Sequence, residues 1–246
     1  MPALVDKSTV RALLHRDPRW CVYALGDLTP RMFEKCRWFT PDLTLVLHEY
    51  GTCILFAMGT GSIADALQHA TFPVHLQVRR DALEEVARYA AVSNERVMLR
   101  MALENRSALA IDPRVRRLGT ADAAAIAALY ADGEATGEAP DFFYPAMLDF
   151  GVFFGVYEGA SLIAAAGTHL VAPEEHAAAI GNVYVRRDRR NRGLGRITTA
   201  AVAWELRSLD TVGLNVKADN AAAIRVYESL GFVRHCDFVE AIAKME

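Results

Sequence analysis

Gly181-Asn182-Val183-Tyr184-Val185, followed by Arg186-Arg187-Asp188-Arg189-Arg190-Asn191-Arg192-Gly193-Leu194-Gly195-Arg196, is the stretch whose reading decides the fold. Its first part is β-branched and aromatic, which predicts a buried strand. Its second part is polar and dominated by arginine. Ile197 to Leu206 follows, with helical composition and no proline. A strand, a Gly-containing turn and a helix N-terminus together form an anion site. The first N–H groups of a helix lack intrahelical acceptors, and the helix dipole favours negative charge there. Glycine lets a diphosphate approach the main chain with no Cβ in the way.

Arg190-x-x-Gly193-x-Gly195 is neither the dinucleotide fingerprint nor the Walker-type phosphate loop. It resembles the pyrophosphate-binding signature of the GNAT superfamily of acyl-CoA-dependent N-acyltransferases. A second block, Leu214 to Phe232, resembles that family's succession of strand, Asn220, helix, Tyr227 and Gly231-Phe232. The resemblance covers roughly residues 114 to 246.

The rest of the chain constrains this reading. The 246 residues carry 52% hydrophobic and 23% charged side chains, as a globular protein does. The net charge of −3 makes the arginine cluster a local feature and argues against general nucleic-acid binding. Cys21, Cys36, Cys53 and Cys236 form no metal-ligand spacing, so free thiols and no metal are expected. Neither a signal peptide nor a membrane span is visible, which predicts a cytoplasmic protein.

In chain order, the pattern predicts helices over Ser8–His15 and Trp20–Leu25, strands over 43–49 and 52–58, and a short helix opened by a Ser62/Asp65 capping box. A strand at 74–78, a helix at 81–90 and a strand at 96–103 complete this half. A similar order recurs later. Helices are predicted at 121–130 and 142–150, strands at 152–157, 162–171 and 178–185, then the helix after Arg196, a strand at 212–216, a helix at 221–230 and strand material from Phe232 to Lys244. The expected fold class is α/β, an α+β mixed sheet. A GNAT fold fills residues 114–246, and residues 1–112 form a degenerate GNAT-like half. Gly59-Thr60-Gly61-Ser62 lacks the arginine pattern and reads as a plain turn rather than a second cofactor site. The two-domain layout resembles the glycine N-acyltransferase branch of the superfamily.

The resemblance implies an acetyl-CoA or other acyl-CoA co-substrate and transfer to a primary amine, with a small-molecule acceptor expected ahead of a protein. It places main-chain groups of Val183 and Val185 along pantetheine. Arg190, Asn191, Arg192, Gly193, Leu194, Gly195 and Arg196 surround the diphosphate, and Asn220 caps the following helix. Tyr227 becomes the acid that protonates the departing thiolate, although its spacing from Ala223 and Leu230 also fits a core face. Asn182 stands where a strand-borne carboxylate base would be. His169, His176, Glu134, Glu138 and Asp141 remain open as bases, and Glu134 to Asp141 reads first as a loop over the acceptor. A non-catalytic acyl-CoA sensor or scaffold is the alternative class. Neither nucleic acid nor membrane is an expected partner, and a homodimer is the candidate assembly.

Overall fold

Alternating apolar residues and Pro- or Gly-containing turns divide the chain into short elements, and a computed structural model describes residues 6–49, 51–140 and 142–245. The first elements are α1 (Lys7–Leu14), α2 (Val22–Gly26), α3 (Pro30–Phe33), β1 (Cys36–Phe39), β2 (Thr44–Glu49), β3 (Thr52–Ala57), α4 (Ile63–Leu67), β4 (Val74–Val78), α5 (Arg80–Val86) and β5 (Ala91–Leu103). Then come β6 (Val115–Arg117), α6 (Ala123–Glu134), α7 (Met147–Phe150), β7 (Phe154–Glu158), β8 (Ser161–Ala172), β9 (Ala177–Val185), α8 (Leu194–Glu205), β10 (Thr211–Lys217), α9 (Ala221–Ser229) and β11 (Phe232–Lys244).

The chain forms two compact units. One comprises the described residues up to Arg100 with Val216–Asn220 and those from His235 onward; the other comprises Met101–Asn215 and Ala221–Arg234. This partition differs from the expected boundary at 112–114. Residues 101–112 group with the second unit, and β5, β10 and β11 are each divided between the two.

In the first unit the strand order is β1-β2-β3-β4-β11-β5. β2 pairs antiparallel with β1 and β3, β3 runs parallel to β4, and β11 runs antiparallel to β4. Leu55, Leu76, Val78, Ile63, Val86 and Val239 belong to one buried cluster. The expected Ser62 capping box does not form: Ser62 donates to the Asp42 carbonyl and meets Thr44 Oγ1 at 2.8 Å instead. Asp6 caps α1, accepting from the Ser8 and Thr9 N–H groups. Sequence reasoning also missed α3, β1 and β6, each too short to show a period.

In the second unit the order is β10-β9-β8-β7-β6. The pairs β6·β7, β7·β8 and β8·β9 are antiparallel, while β9 and β10 are parallel and joined through α8. This is a mixed α/β sheet, as the residue pattern predicts. Ile126, Leu129, Tyr130, Phe153, Leu162 and Tyr184 form part of its core. The predicted helix over 142–150 shortens to Met147–Phe150.

Candidate functional site

The site begins where two parallel strands separate. β9 and β10 are in register only from Ala177↔Thr211 to Ile180↔Leu214. Beyond Ile180, β9 continues to pair with β8, through Gly167↔Gly181, Ala165↔Tyr184 and Ala164↔Val185. The register shifts between Ala165 and Gly167, and Asn182 takes a left-handed φ of 53° there. Its carbonyl accepts the Tyr130 hydroxyl at 2.8 Å, which fixes the bulge against α6. The Arg186 N–H donates to Ile163 O on the β8 side at 2.9 Å. Main-chain groups alternate along a strand, so those of Val183 and Val185 face the opposite edge, from which β10 has diverged. An extended ligand could add to that edge as a strand would.

Behind the strand, Asn191 and Gly193 both have positive φ, 61° and 73°. Gly193 is the N-cap of α8. The first bond of this helix to reach back past its start is Ile197 N–H to Gly193 O at 3.1 Å, so the N–H groups of Leu194, Gly195 and Arg196 have no intrahelical acceptor. A Cβ on Gly193 would meet nothing within 4 Å, and one on Gly195 would meet Val185 Cγ2 at 3.4 Å. The turn is thus open, rich in main-chain donors and set against the free end of β9.

The arginines themselves are mostly engaged by carboxylates. Arg186 bonds Asp188 at 2.7 Å, and Arg189 bonds Glu158 at 2.6 Å. Arg187 donates its main-chain N–H to Asp132 at 2.9 Å. That N–H, with the Tyr184 hydroxyl at 2.8 Å, holds the Asp132 carboxyl below the usual range. Arg190 folds back on the strand, with Nε 3.3 Å from Val185 O and Nη1 2.9 Å from Glu138 Oε1. Glu138 is thereby held ionised and ties the segment after α6 to Arg190, just before the Gly193 turn. Arg196 reaches Ser229 Oγ at 3.3 Å on α9, and Arg192 is exposed. The donors that this turn leaves open are therefore main-chain N–H groups more than guanidinium groups.

Tyr227 is 7% exposed on α9, its ring 6.1 Å from that of Phe232, and burial pushes its phenol up to about 12. Asn220 belongs to the first compact unit, where it is exposed and its N–H donates to Lys217 O at 3.0 Å. His169 lies on β8 against Gly181, and burial lowers its pKa to about 4. His176 lies before Ala177, at the far end of β9 from Val185 and roughly 30 Å away along the strand. It faces Asp210 at 3.6 Å and is not brought to the site. Glu134 ends α6 and is exposed. Asp141 lies outside the described residues.

Sequence reasoning missed Asp132, Tyr130 and Tyr184, which position the strand and turn through long-range bonds that no local pattern announces. It also missed the state of Asn182. This side chain is 3% exposed, and its Oδ1 and Nδ2 have no hydrogen-bond partner among the described residues; nor does the buried Asn215 Oδ1. Asn182 lies two residues beyond Ile180 and Asn215 one beyond Leu214, so both flank the point of divergence. Unsatisfied buried amides at an opening between strands call for polar partners from a ligand or water. In the first unit the turn between β3 and α4 is closed by the chain's own carboxylate. Gly61 N–H donates to Asp42 Oδ2 at 3.1 Å, and a Cβ on Gly59 would lie 2.9 Å from the same group. Among the described residues, no group of three or more His, Cys, Asp or Glu could hold a metal ion, and no helix is long and apolar enough to cross a membrane.

Residues 126–232 match the model of the Acetyltransferase (GNAT) family. The chain is 38% identical over 104 residues to the mycothiol acetyltransferase of Tsukamurella paurometabola, a match covering 39% of this chain and 34% of that relative. It is 40% identical over 81 residues to the ribosomal protein bS18-alanine N-acetyltransferase of Escherichia coli, covering 32% of this chain and 53% of that one. The chain thus spans between about a third and about half the length of these curated relatives. A solved structure assigned to the GNAT family, from Novosphingobium aromaticivorans, superposes with a TM-score of 0.66 at 22% identity, covering 92% of this chain and 96% of the other. The shared fold therefore runs well beyond the family-matched segment.

Proposed function

We propose that this chain is an acyl-CoA-dependent N-acetyltransferase that moves an acetyl or other short acyl group to a primary amine, with a small molecule as the acceptor. The observation that carries the reading is the donor-rich turn at Gly193, set against the edge of β9 that β10 has left. N–H groups of Leu194 to Arg196 would hold the diphosphate, and main-chain groups of Val183 and Val185 would pair with the pantetheine amides. Asn182 and Asn215, which carry unsatisfied side-chain amide atoms, follow closely on the last β9–β10 pair, Ile180↔Leu214.

The reaction requires a neutral amine to attack the thioester carbonyl and the thiolate to depart. Positioning and fixed dipoles supply most of the rate. The Val185 N–H is the main-chain donor for the carbonyl oxygen. Tyr227 is assigned as the acid: burial keeps its phenol protonated across the working range. A phenol at about 12 lies above a thiol at about 8.5, so it donates uphill and is a weak acid for the thiolate. A neutral His169 is available as an acceptor at pH 7, but one near 4 is a weak base. Two of the matched relatives are named for acceptors of different kinds, mycothiol and a ribosomal protein. We favour the small molecule, and read the two-unit layout as akin to the glycine N-acyltransferase branch.

Purified chain mixed with acetyl-CoA and a panel of amines, followed by thiol release, tests this directly. Amine-dependent release is expected. Saturable CoA binding with no release for any small or peptide amine would favour the sensor reading. Absence of CoA binding would remove both.

A further inference from the structure

Arg190 lies across the edge of β9 that β10 has left. The Arg186 N–H points to Ile163 on β8, so the Val185 carbonyl, one residue earlier, faces the other way. Arg190 Nε donates to that carbonyl at 3.3 Å, and the guanidinium carbon stands 5.7 Å from the Tyr184 ring centre. Its terminal nitrogens take both oxygens of Glu138, Nη1 at 2.9 Å from Oε1 and Nη2 at 3.3 Å from Oε2. This is a two-point pairing of fork and carboxylate within the second unit.

The carboxylate is placed by its own turn. Thr136, Glu138 and Ala139 all donate main-chain N–H groups to Gly133 O, at 3.2, 3.0 and 3.3 Å, and Gly137 turns the chain with φ 66°. Thr136 Oγ1 donates to Glu138 Oε2 at 2.9 Å and orients the carboxylate. A Cβ on Gly133 would lie 2.7 Å from Ala139 N and 2.8 Å from the Tyr184 hydroxyl, so the turn and β9 both close on this glycine.

Both contacts of Arg190 coincide with contacts an acyl-CoA would make. A pantetheine amide added along the edge meets Nε already at Val185 O, and a diphosphate oxygen meets Glu138 already on the guanidinium. We propose that Glu138 is an internal competitor for acyl-CoA: its carboxylate clasps Arg190 over Val185 O, and the clasp opens when the diphosphate takes the guanidinium. This inference rests on the acyl-CoA reading above. A solvent-exposed pair of this kind biases an equilibrium by about two- to fivefold, so the clasp lowers affinity without blocking the site. The apparent dissociation constant rises as the inverse of the open fraction.

Calorimetric titration of the full chain with CoA compares wild type with Glu138→Gln, which removes the charge that pairs. The variant should bind CoA about two- to fivefold more tightly. Loss of a carboxylate near the diphosphate could tighten binding through its field alone, so the same change is made beside Arg190→Gln. There the gain should vanish, because the residue that Glu138 holds has gone. Should Arg190→Gln bind too weakly to titrate, Glu138→Asp decides: it keeps the charge but draws it back by one methylene, and should still tighten binding. Unchanged or weaker binding by Glu138→Gln overturns the clasp, as does a gain that persists undiminished without Arg190. Binding of CoA by wild type keeps the acyl-CoA reading standing in either case, whereas no binding by any variant would remove that reading and the clasp together.

Discussion

The His169 imidazole occupies the space that a side chain at position 181 would need: a Cβ on Gly181 would lie 2.3 Å from His169 Cε1 and 2.4 Å from Nε2. Gly181 is the last residue before the Asn182 bulge and pairs with Gly167, whose own Cβ would collide with Phe153 at 2.1 Å. The separation of β9 from β10 thus begins at a position packed too closely for any other residue.

Gly181→Ala should therefore destabilise the chain by about 1–3 kcal/mol, the usual range for forced overpacking. Denaturant unfolding measures this. Adding His169→Ala should return much of the loss, since contacting residues couple. Equal losses in the single and double variants would mean that the ring moves aside freely.

Stability should depend on His169 in acid. Burial lowers its folded-state pKa from 6.5 to about 4. As pH falls below about 6.5, the unfolded chain takes up this proton while the folded chain does not until about pH 4. The contribution is complete above pH 6.5, is lost between 6.5 and 4, and changes no further below. For a half-buried ring it is at most about 3 kcal/mol. His169→Gln should flatten the difference between unfolding free energies at pH 7 and pH 5.

The turn at Gly193 should respond differently to changes at its two glycines. Gly193→Ala forces an L-residue to φ 73° and should cost about 1–2 kcal/mol in stability. Gly195→Val has ordinary backbone, so its side chain should act on the ligand and weaken CoA binding with little loss of fold. Calorimetry and circular dichroism separate the two effects. Titration of wild type should give one CoA per chain, because Asp42 already fills the turn at Gly59–Ser62. Two equivalents would show that Asp42 yields.

Tyr227→Phe keeps the ring against Phe232 and should change stability little. If the hydroxyl protonates the thiolate, kcat should fall by roughly 10²–10⁴-fold with a smaller change in KM for acyl-CoA. With the phenol at about 12, no decline in wild-type rate between pH 6 and 9 should trace to its ionisation. Near-normal turnover of the Phe variant would assign the proton to water.

The sequence by itself determined the mixed α/β class, the position of β9, α8, β10 and α9 to within a few residues, and the Gly193 turn. These are local consequences of alternation, helical composition and glycine placement, which act over a handful of residues. Only the tertiary structure decided what the polar groups do. Arg190 reads as a diphosphate ligand, yet its guanidinium lies on Glu138 and Val185 O because α6 brings Glu138 to it across 52 residues. Asn182 reads as a missing base, but packing turns it into a buried, unsatisfied amide at a bulge held by Tyr130. Arg100 looks like one charge in a strand until Trp20, Tyr23 and Phe238, distant in the chain, close around it. Hydrogen-bond satisfaction and desolvation depend on which distant segments meet, and no local spacing records that meeting.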